Sequence, residues 1–146
     1  MIIGTYFHTI DYKNRLSLPS KFRKEMGKRV VVTPGLDSCL FVFTSNTWET
    51  ISGRLSGNDA SMFKADNRSL NRYLLGMAVE IEVDGAGRML IPEHLRDRAH
   101  LKSKVVFIGV RDRVEIWSEE AWNAYAKEIE GKADKIAEKY GEAGMI

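Results

Sequence analysis

The 146-residue sequence holds one cysteine, Cys39. A single cysteine excludes an internal disulfide, which fits a reducing cytosol. It lies in the apolar stretch "SCLFVF", where a buried small hydrophobe outweighs a nucleophile as the reading. Long hydrophobic runs are missing as well: nowhere do the roughly 18 apolar residues of a membrane span follow one another. The opening "MIIGTYFHTIDYK" has no basic segment leading into an apolar core, so it does not read as a signal peptide. Histidine is scarce. His8, His94 and His100 keep no spacing to cysteine or carboxylates that suggests a metal site, and His94 and His100 read as exposed helix residues. No glycine-rich phosphate loop follows a strand. No cofactor and no metal are therefore expected.

Charge of one sign is scarce only on average. The net charge is +2, but it is unevenly spread. Between Asp11 and Arg29 the bases Lys13, Arg15, Lys21, Arg23, Lys24, Lys28 and Arg29 face only Asp11 and Glu25, whereas from Glu119 onward acids outnumber bases. A basic segment beside an acidic tail suggests a polyanion-binding face and a separate solvated one. The length, with 44% hydrophobic residues, suits one domain or two small halves sharing a core.

What is present is a repeat. "DYKNRLSLPSKFR", residues 11–23, returns as "DGAGRMLIPEHLR", residues 84–96, seventy-three positions later. Asp11, Arg15, Pro19 and Arg23 fall on Asp84, Arg88, Pro92 and Arg96. Beyond the motif the offset becomes seventy-four: Val31, Val32, Gly35 and Trp48 match Val105, Val106, Gly109 and Trp122. Each half then reads as a strand, a tight turn, a strand, a short helix, an apolar hairpin and a longer helix. The expected divisions are a first repeat over 1–55, a connector and helix over 56–76, a second repeat over 77–123, and a C-terminal helix and tail over 124–146. "SGNDAS", residues 56–61, is the expected flexible connection.

Alternation places the side chains. Val79, Ile81 and Val83 point one way, Glu80 and Glu82 the other. Leu16 and Leu18 face inward, so Arg15 and Ser17 face outward; Met89 and Ile91 likewise leave Arg88 outward. Asp11 and Asp84 open turns in which their carboxylates can accept from backbone N–H groups about two residues on. Gly87 takes positive φ freely, and Asn14 at the matching place is among the few other residues that tolerate it. Pro19 and Pro92 end strands and open helices. Phe22 and Met26, and in the other half Leu95 and Ala99, share a helix face, with Gly27 as a stop. Asn67 is expected to cap a helix carrying a stripe of Leu70, Tyr73, Leu74 and Met77. Ser118 is expected to cap the last helix, whose stripe is Trp122, Tyr125, Ile129, Ala133, Ile136 and Tyr140.

These residues resemble the MraZ family of bacterial transcription regulators. The resemblance rests on "GTYFHTIDYKNRLSLPSKFR", "LFVF" with Trp48, "DGAGRMLIPEHLR", and "VVFIGVRDRVEIW" with Trp122, nearly the whole chain. Two copies of Asp-x-x-x-Arg in matching contexts make it specific. Members of the family usually carry Gly where this chain has Asn14. The resemblance implies an α+β, mainly β fold: two tandem AbrB-like (SpoVT-type) halves forming one pseudo-twofold swapped-hairpin barrel with flanking helices. It implies binding to repeated boxes in double-stranded promoter DNA of the division and cell-wall gene cluster, and assembly of a homo-oligomeric ring in the cytoplasm and nucleoid. It carries the DNA-reading role to Arg15 and its partner Arg88, with Lys13 and Asn14 in the same loop and Arg23 and Arg96 as weaker counterparts.

Elementary chemistry points the same way. A hairpin presenting Arg can enter the major groove, and Arg bonds guanine O6 and N7 in a bidentate way. Lys13, Lys21 and Lys24 would meet phosphates, which adds affinity without sequence information. Against this, Arg15 paired with Asp11 could simply pin the loop. Two other readings stay open here: an aspartic dyad of Asp11 and Asp84 sharing a proton, and a ring-forming scaffold that binds protein.

Overall fold

The computed structural model describes residues 1–57 and 62–145, and each half of the chain follows one path. The first half runs β1 (Ile3–Thr9), a turn, β2 (Arg15–Ser17), α1 (Ser20–Met26), the hairpin β3 (Arg29–Pro34) and β4 (Leu40–Thr44), then α2 (Ser45–Ser56). After α3 (Ala65–Leu74) the order repeats as β5 (Val79–Glu82), β6 (Arg88–Leu90), α4 (Glu93–Arg98), β7 (Lys104–Val110), β8 (Val114–Ser118) and α5 (Glu119–Glu142). Even the caps repeat. Thr44 accepts from the Thr47 N–H at 3.1 Å, and Ser118 accepts from the Ala121 N–H at 3.1 Å, each satisfying a first-turn donor that the helix leaves unpaired.

The halves exchange their first strands. β1 pairs antiparallel with β7 of the other half, Ile3 opposite Val110. β5 pairs with β3, Val32 opposite Val79. β4 and β8 meet at the centre, Phe41 opposite Glu115. The resulting order, β1-β7-β8-β4-β3-β5, reads the same when the halves are interchanged. β2 and β6 form a separate ribbon with Leu16 opposite Met89. β2 packs beside β1 and β6 beside β5, so the strands run round one barrel whose ladders are interrupted at those two junctions. The architecture is α+β, mainly β, as the resemblance implies.

Alternation explains the core. Leu16, Leu18 and Phe22 and their repeat equivalents Met89, Ile91 and Leu95 are all at most 1% exposed and lie in one cluster. Each such side chain contributes about 1.5–3 kcal/mol on burial. A second cluster joins Cys39, Val106, Ile108 and Trp117 to Trp122 and Tyr125 of α5, with the Trp117 and Tyr125 rings 4.8 Å apart. Burial pushes the Cys39 thiol up, away from the reactive thiolate. Glu115, buried beside this cluster, accepts from Trp117 Nε1 at 3.0 Å and pairs with Arg113 at 2.8 Å.

Three helical expectations are corrected. Asn67 does not cap α3: the helix begins at Ala65, Lys64 stands at the cap position without a side-chain bond, and Asn67 lies in the first turn. The early acid Asp66, favourable to the helix dipole, accompanies that earlier start. The α3 stripe is shorter than expected, because Leu70 and Met77 are 41% and 42% exposed and Met77 follows the helix in a turn. His100 likewise falls beyond α4, at φ 54. Of "SGNDAS", Ser56 ends α2 and Gly57 caps it, while positions 58–61 lie outside the described residues.

Candidate nucleic-acid interface

The β2–β6 ribbon and the turn before each of its strands build the site. Within the ribbon Arg15 stands opposite Leu90 and Arg88 opposite Ser17. Leu16 and Met89 point into the core at 0% exposure. Period-two alternation therefore sends Arg15, Ser17, Arg88 and Leu90 to the outer face. The two arginines are diagonal neighbours across the ribbon, related by the pseudo-twofold axis through Leu16 and Met89. The two turns sit at opposite ends. Ile91 N–H donates to Asn14 O at 3.2 Å and Leu18 N–H to Gly87 O at 2.8 Å, so each turn is tied to the far end of the partner strand.

The turns repeat bond for bond. Asp11 Oδ1 accepts from the backbone N–H groups of Lys13 and Arg15, both at 2.9 Å, and its Oδ2 accepts from Arg15 Nε at 2.9 Å. Asp84 accepts from the N–H groups of Ala86 and Arg88, both at 2.9 Å, and from Arg88 Nε at 2.8 Å. Asn14 adopts φ 60 and Gly87 φ 80, the left-handed region expected of both. At Gly87 a second constraint applies: a Cβ there would collide with the Arg23 guanidinium. The backbone N–H of Arg15, then its side chain and the Lys13 N–H, hold the Asp11 carboxyl below its usual value against opposing desolvation. Asp84 is lowered in the same way, first by the Arg88 N–H. Both carboxylates are therefore ionised. A proton-sharing dyad would raise one of them instead, so the enzymatic reading finds no support in either turn.

Each aspartate occupies only the Nε of its arginine. Among the described residues, no hydrogen bond engages the terminal guanidinium nitrogens of Arg15 or Arg88. The Arg15 side chain is 26% exposed and that of Arg88 39%. Each thus presents an oriented fork to the outside while its charge is half-balanced behind. Lys13, Lys21 and Lys24 are exposed, Lys13 with its Nζ 5.6 Å from the Tyr12 ring centre. Arg23 and Arg96 are half-buried, and their Nε groups donate to Leu18 O at 2.8 Å and Ile91 O at 3.0 Å. They fasten strand ends under the turns. Glu80 and Glu82, on the strand leading to Arg88, face Arg29 at 3.7 and 3.3 Å, which offsets part of their negative field.

Two exposed apolar residues join this face without having been singled out from the sequence. Leu90 is 60% exposed and Tyr12 87%. The alternation that turns Arg88 outward carries Leu90 with it. Tyr12 has no periodic signal, and only its place between Asp11 and Lys13 marks it.

Comparison with known proteins also finds two copies of one unit in the chain. A family model described as "MraZ protein, putative antitoxin-like" matches residues 1–73 and again 74–140. A protein of Caldanaerobacter subterraneus subsp. tengcongensis named "Transcriptional regulator MraZ" is 47% identical over 138 residues, covering 94% of this chain and 95% of its own. Its namesake in Thermoanaerobacter pseudethanolicus is 45% identical over 145 residues, covering 99% of this chain and 100% of its own. One from Ligilactobacillus salivarius is 44% identical over 138 residues, covering 94% and 95%. With two copies of the family's unit spanning nearly its whole length, the chain belongs to the MraZ family.

Proposed function

We propose that this protein is a non-enzymatic, sequence-specific DNA-binding regulator of transcription that uses its two Asp-x-x-x-Arg turns as reading heads. The relatives' printed role as transcriptional regulators supports the general part. One observation carries the specific part: two equivalent arginines share the outer face of a two-stranded ribbon, each with Nε fixed by aspartate and its terminal nitrogens unengaged. Such a fork suits bidentate bonding to guanine in the major groove, at roughly 1–3 kcal/mol of discrimination per good pair. Fixing Nε beforehand lowers the ordering cost of binding. Lys13, Lys21 and Lys24 supply phosphate contacts. The targets are repeated boxes in the promoter of the division and cell-wall gene cluster, read in the cytoplasm at the nucleoid.

The assembled form is a ring, in which half one of a chain docks on half two of the next. On α5 the apolar Ile129, Ile136 and Tyr140 are 36–48% exposed. A cavity of about 190 Å³ is lined by Phe43, Trp48, Ile51 and Leu55 of the first half together with Asp112 and Arg113 of the second. Both are surfaces that a neighbour would cover. A ring repeats the reading heads at intervals, so tandem boxes bind with avidity beyond one box. The test is an anisotropy titration against the duplex upstream of the protein's own gene, with and without excess random DNA. Preference for the upstream duplex is expected; equal binding to both would overturn the reading.

A further inference from the structure

The two turns share a skeleton but not a surface. Tyr12 and Lys13 of the first stand where the second has Gly85 and Ala86. Tyr12 is 87% exposed, and its described ring contact is the Lys13 ammonium at 5.6 Å. An aromatic ring at a loop tip gains burial when a partner covers it, and this one is displayed on the turn that carries Arg15. The occupant has to suit a ring set beside one cation, Lys13, on a turn that also carries Arg15 and is held by three bonds to Asp11. Groove-exposed DNA meets that description: anionic phosphates for Lys13, a base edge for Arg15, and the thymine C5-methyl, the one apolar group that a major-groove edge offers.

We propose that Tyr12 is a specificity-determining residue that packs its ring on a thymine methyl beside the base read by Arg15, so that the first turn recognises a longer stretch of sequence than the second. This rests on the reading of the turns as DNA contacts. Because Asp11 fixes the turn backbone next to Tyr12, that backbone is ordered before DNA arrives, and the ordering cost of the contact is confined to the Tyr12 side chain. The second turn, with Gly85 and Ala86, has no side chain long enough to do the same. The other exposed apolar residue of the face, Leu90, stands across the ribbon from Arg15 and is the natural competitor for that methyl.

The experiment measures binding of the full chain, at fixed salt, to the duplex upstream of its own gene, made with thymidine or with deoxyuridine throughout. Deoxyuridine removes only the methyl. Wild type should lose about fourfold per contacted thymine, the worth of one buried methyl. Tyr12→Ala should bind the thymidine duplex correspondingly more weakly, show no further loss with deoxyuridine, keep the wild-type oligomer mass, and hold random DNA nearly unchanged. Tyr12→Phe should retain the methyl dependence, and so should Leu90→Ser. The inference is overturned if Tyr12→Ala keeps the full deoxyuridine loss, if Leu90→Ser abolishes it, or if Tyr12→Ala changes the oligomer mass and so places the ring against a neighbouring copy. Arg15→Ala separates the two levels. If it removes the preference for the upstream duplex while the Tyr12 arms stay flat, only the methyl contact fails; if it leaves that preference intact, the reading of the turns fails.

Discussion

The turn at Asp11–Arg15 and the turn at Asp84–Arg88 differ by what their inner positions display, and agree in every bond that shapes them. Each aspartate takes two backbone N–H groups and one Nε. Each turn passes through a left-handed residue, Asn14 or Gly87. Between these fixed points the two turns differ, Tyr12 and Lys13 against Gly85 and Ala86. The lesson is a division of labour. The aspartate, the left-handed residue and the arginine set geometry, while the residues enclosed by the turn set what the geometry meets. The same contrast extends along the ribbon, where Ser17 in one half answers to Leu90 in the other.

The largest effect should come from breaking what the halves hold in common. Leu16→Ala and Met89→Ala empty equivalent sites on the pseudo-twofold axis, both at 0% exposure, and each should cost about 2–5 kcal/mol in urea unfolding. A much cheaper loss at one of them would mean that the halves do not share this core. Next come the left-handed positions. Gly87→Ala meets both positive φ and the Arg23 guanidinium and should destabilise by about 1–3 kcal/mol. Asn14→Val should cost about 1 kcal/mol or more, and Asn14→Gly almost nothing. Thermal melts in which Asn14→Val matches wild type would break the equivalence of the turns.

A smaller effect probes what the turns share by pH. Both aspartates titrate below the ordinary carboxylate range, held there first by the backbone N–H of Arg15 or Arg88. Their contribution is therefore complete above the unfolded value and is lost as pH falls through the folded one. Melting temperature should decline below about pH 4, and less steeply in Asp11→Asn and Asp84→Asn, whose side chains no longer titrate. Parallel declines in all three proteins would deny the turns any share in acid stability. The smallest effect is on salt: Lys21→Ala should flatten the dependence of DNA affinity on salt by about one unit and weaken specific and random binding alike. A change confined to specific DNA would move Lys21 from phosphate to base.

Much of this was legible in the sequence because the controlling chemistry is local. Alternation in "RLSLP" and "RMLIP" assigns Leu16, Leu18, Met89 and Ile91 inward and both arginines outward. Asp with Asn or Gly three residues later specifies the turn. Pairing across the halves is a different matter: that β1 lies on β7 and β5 on β3 depends on register between strands far apart in sequence, which no local pattern encodes. Asn67 lies in the first turn rather than at the cap because a residue's cap preference is weak against the earlier start at Ala65. The anchoring of Arg23 and Arg96 on carbonyls was likewise hidden, since it depends on where short helices dock. Tyr12 carried no signal because exposure of a lone aromatic at a loop tip appears only once the loop has a shape.

The central claim is that these turns read bases, the first more than the second. The most direct measurement is the ratio of affinities for the upstream duplex and for random DNA, at one salt concentration, for wild type, Arg15→Ala and Arg88→Ala, with oligomer mass checked in parallel. Arg15→Ala should bring that ratio close to one with the mass intact, and Arg88→Ala should lower it less, since Glu80 and Glu82 lie on its approach strand. If Arg15→Ala keeps the wild-type ratio and loses only overall affinity, Arg15 is a phosphate contact, and the account of the turns as reading heads is wrong.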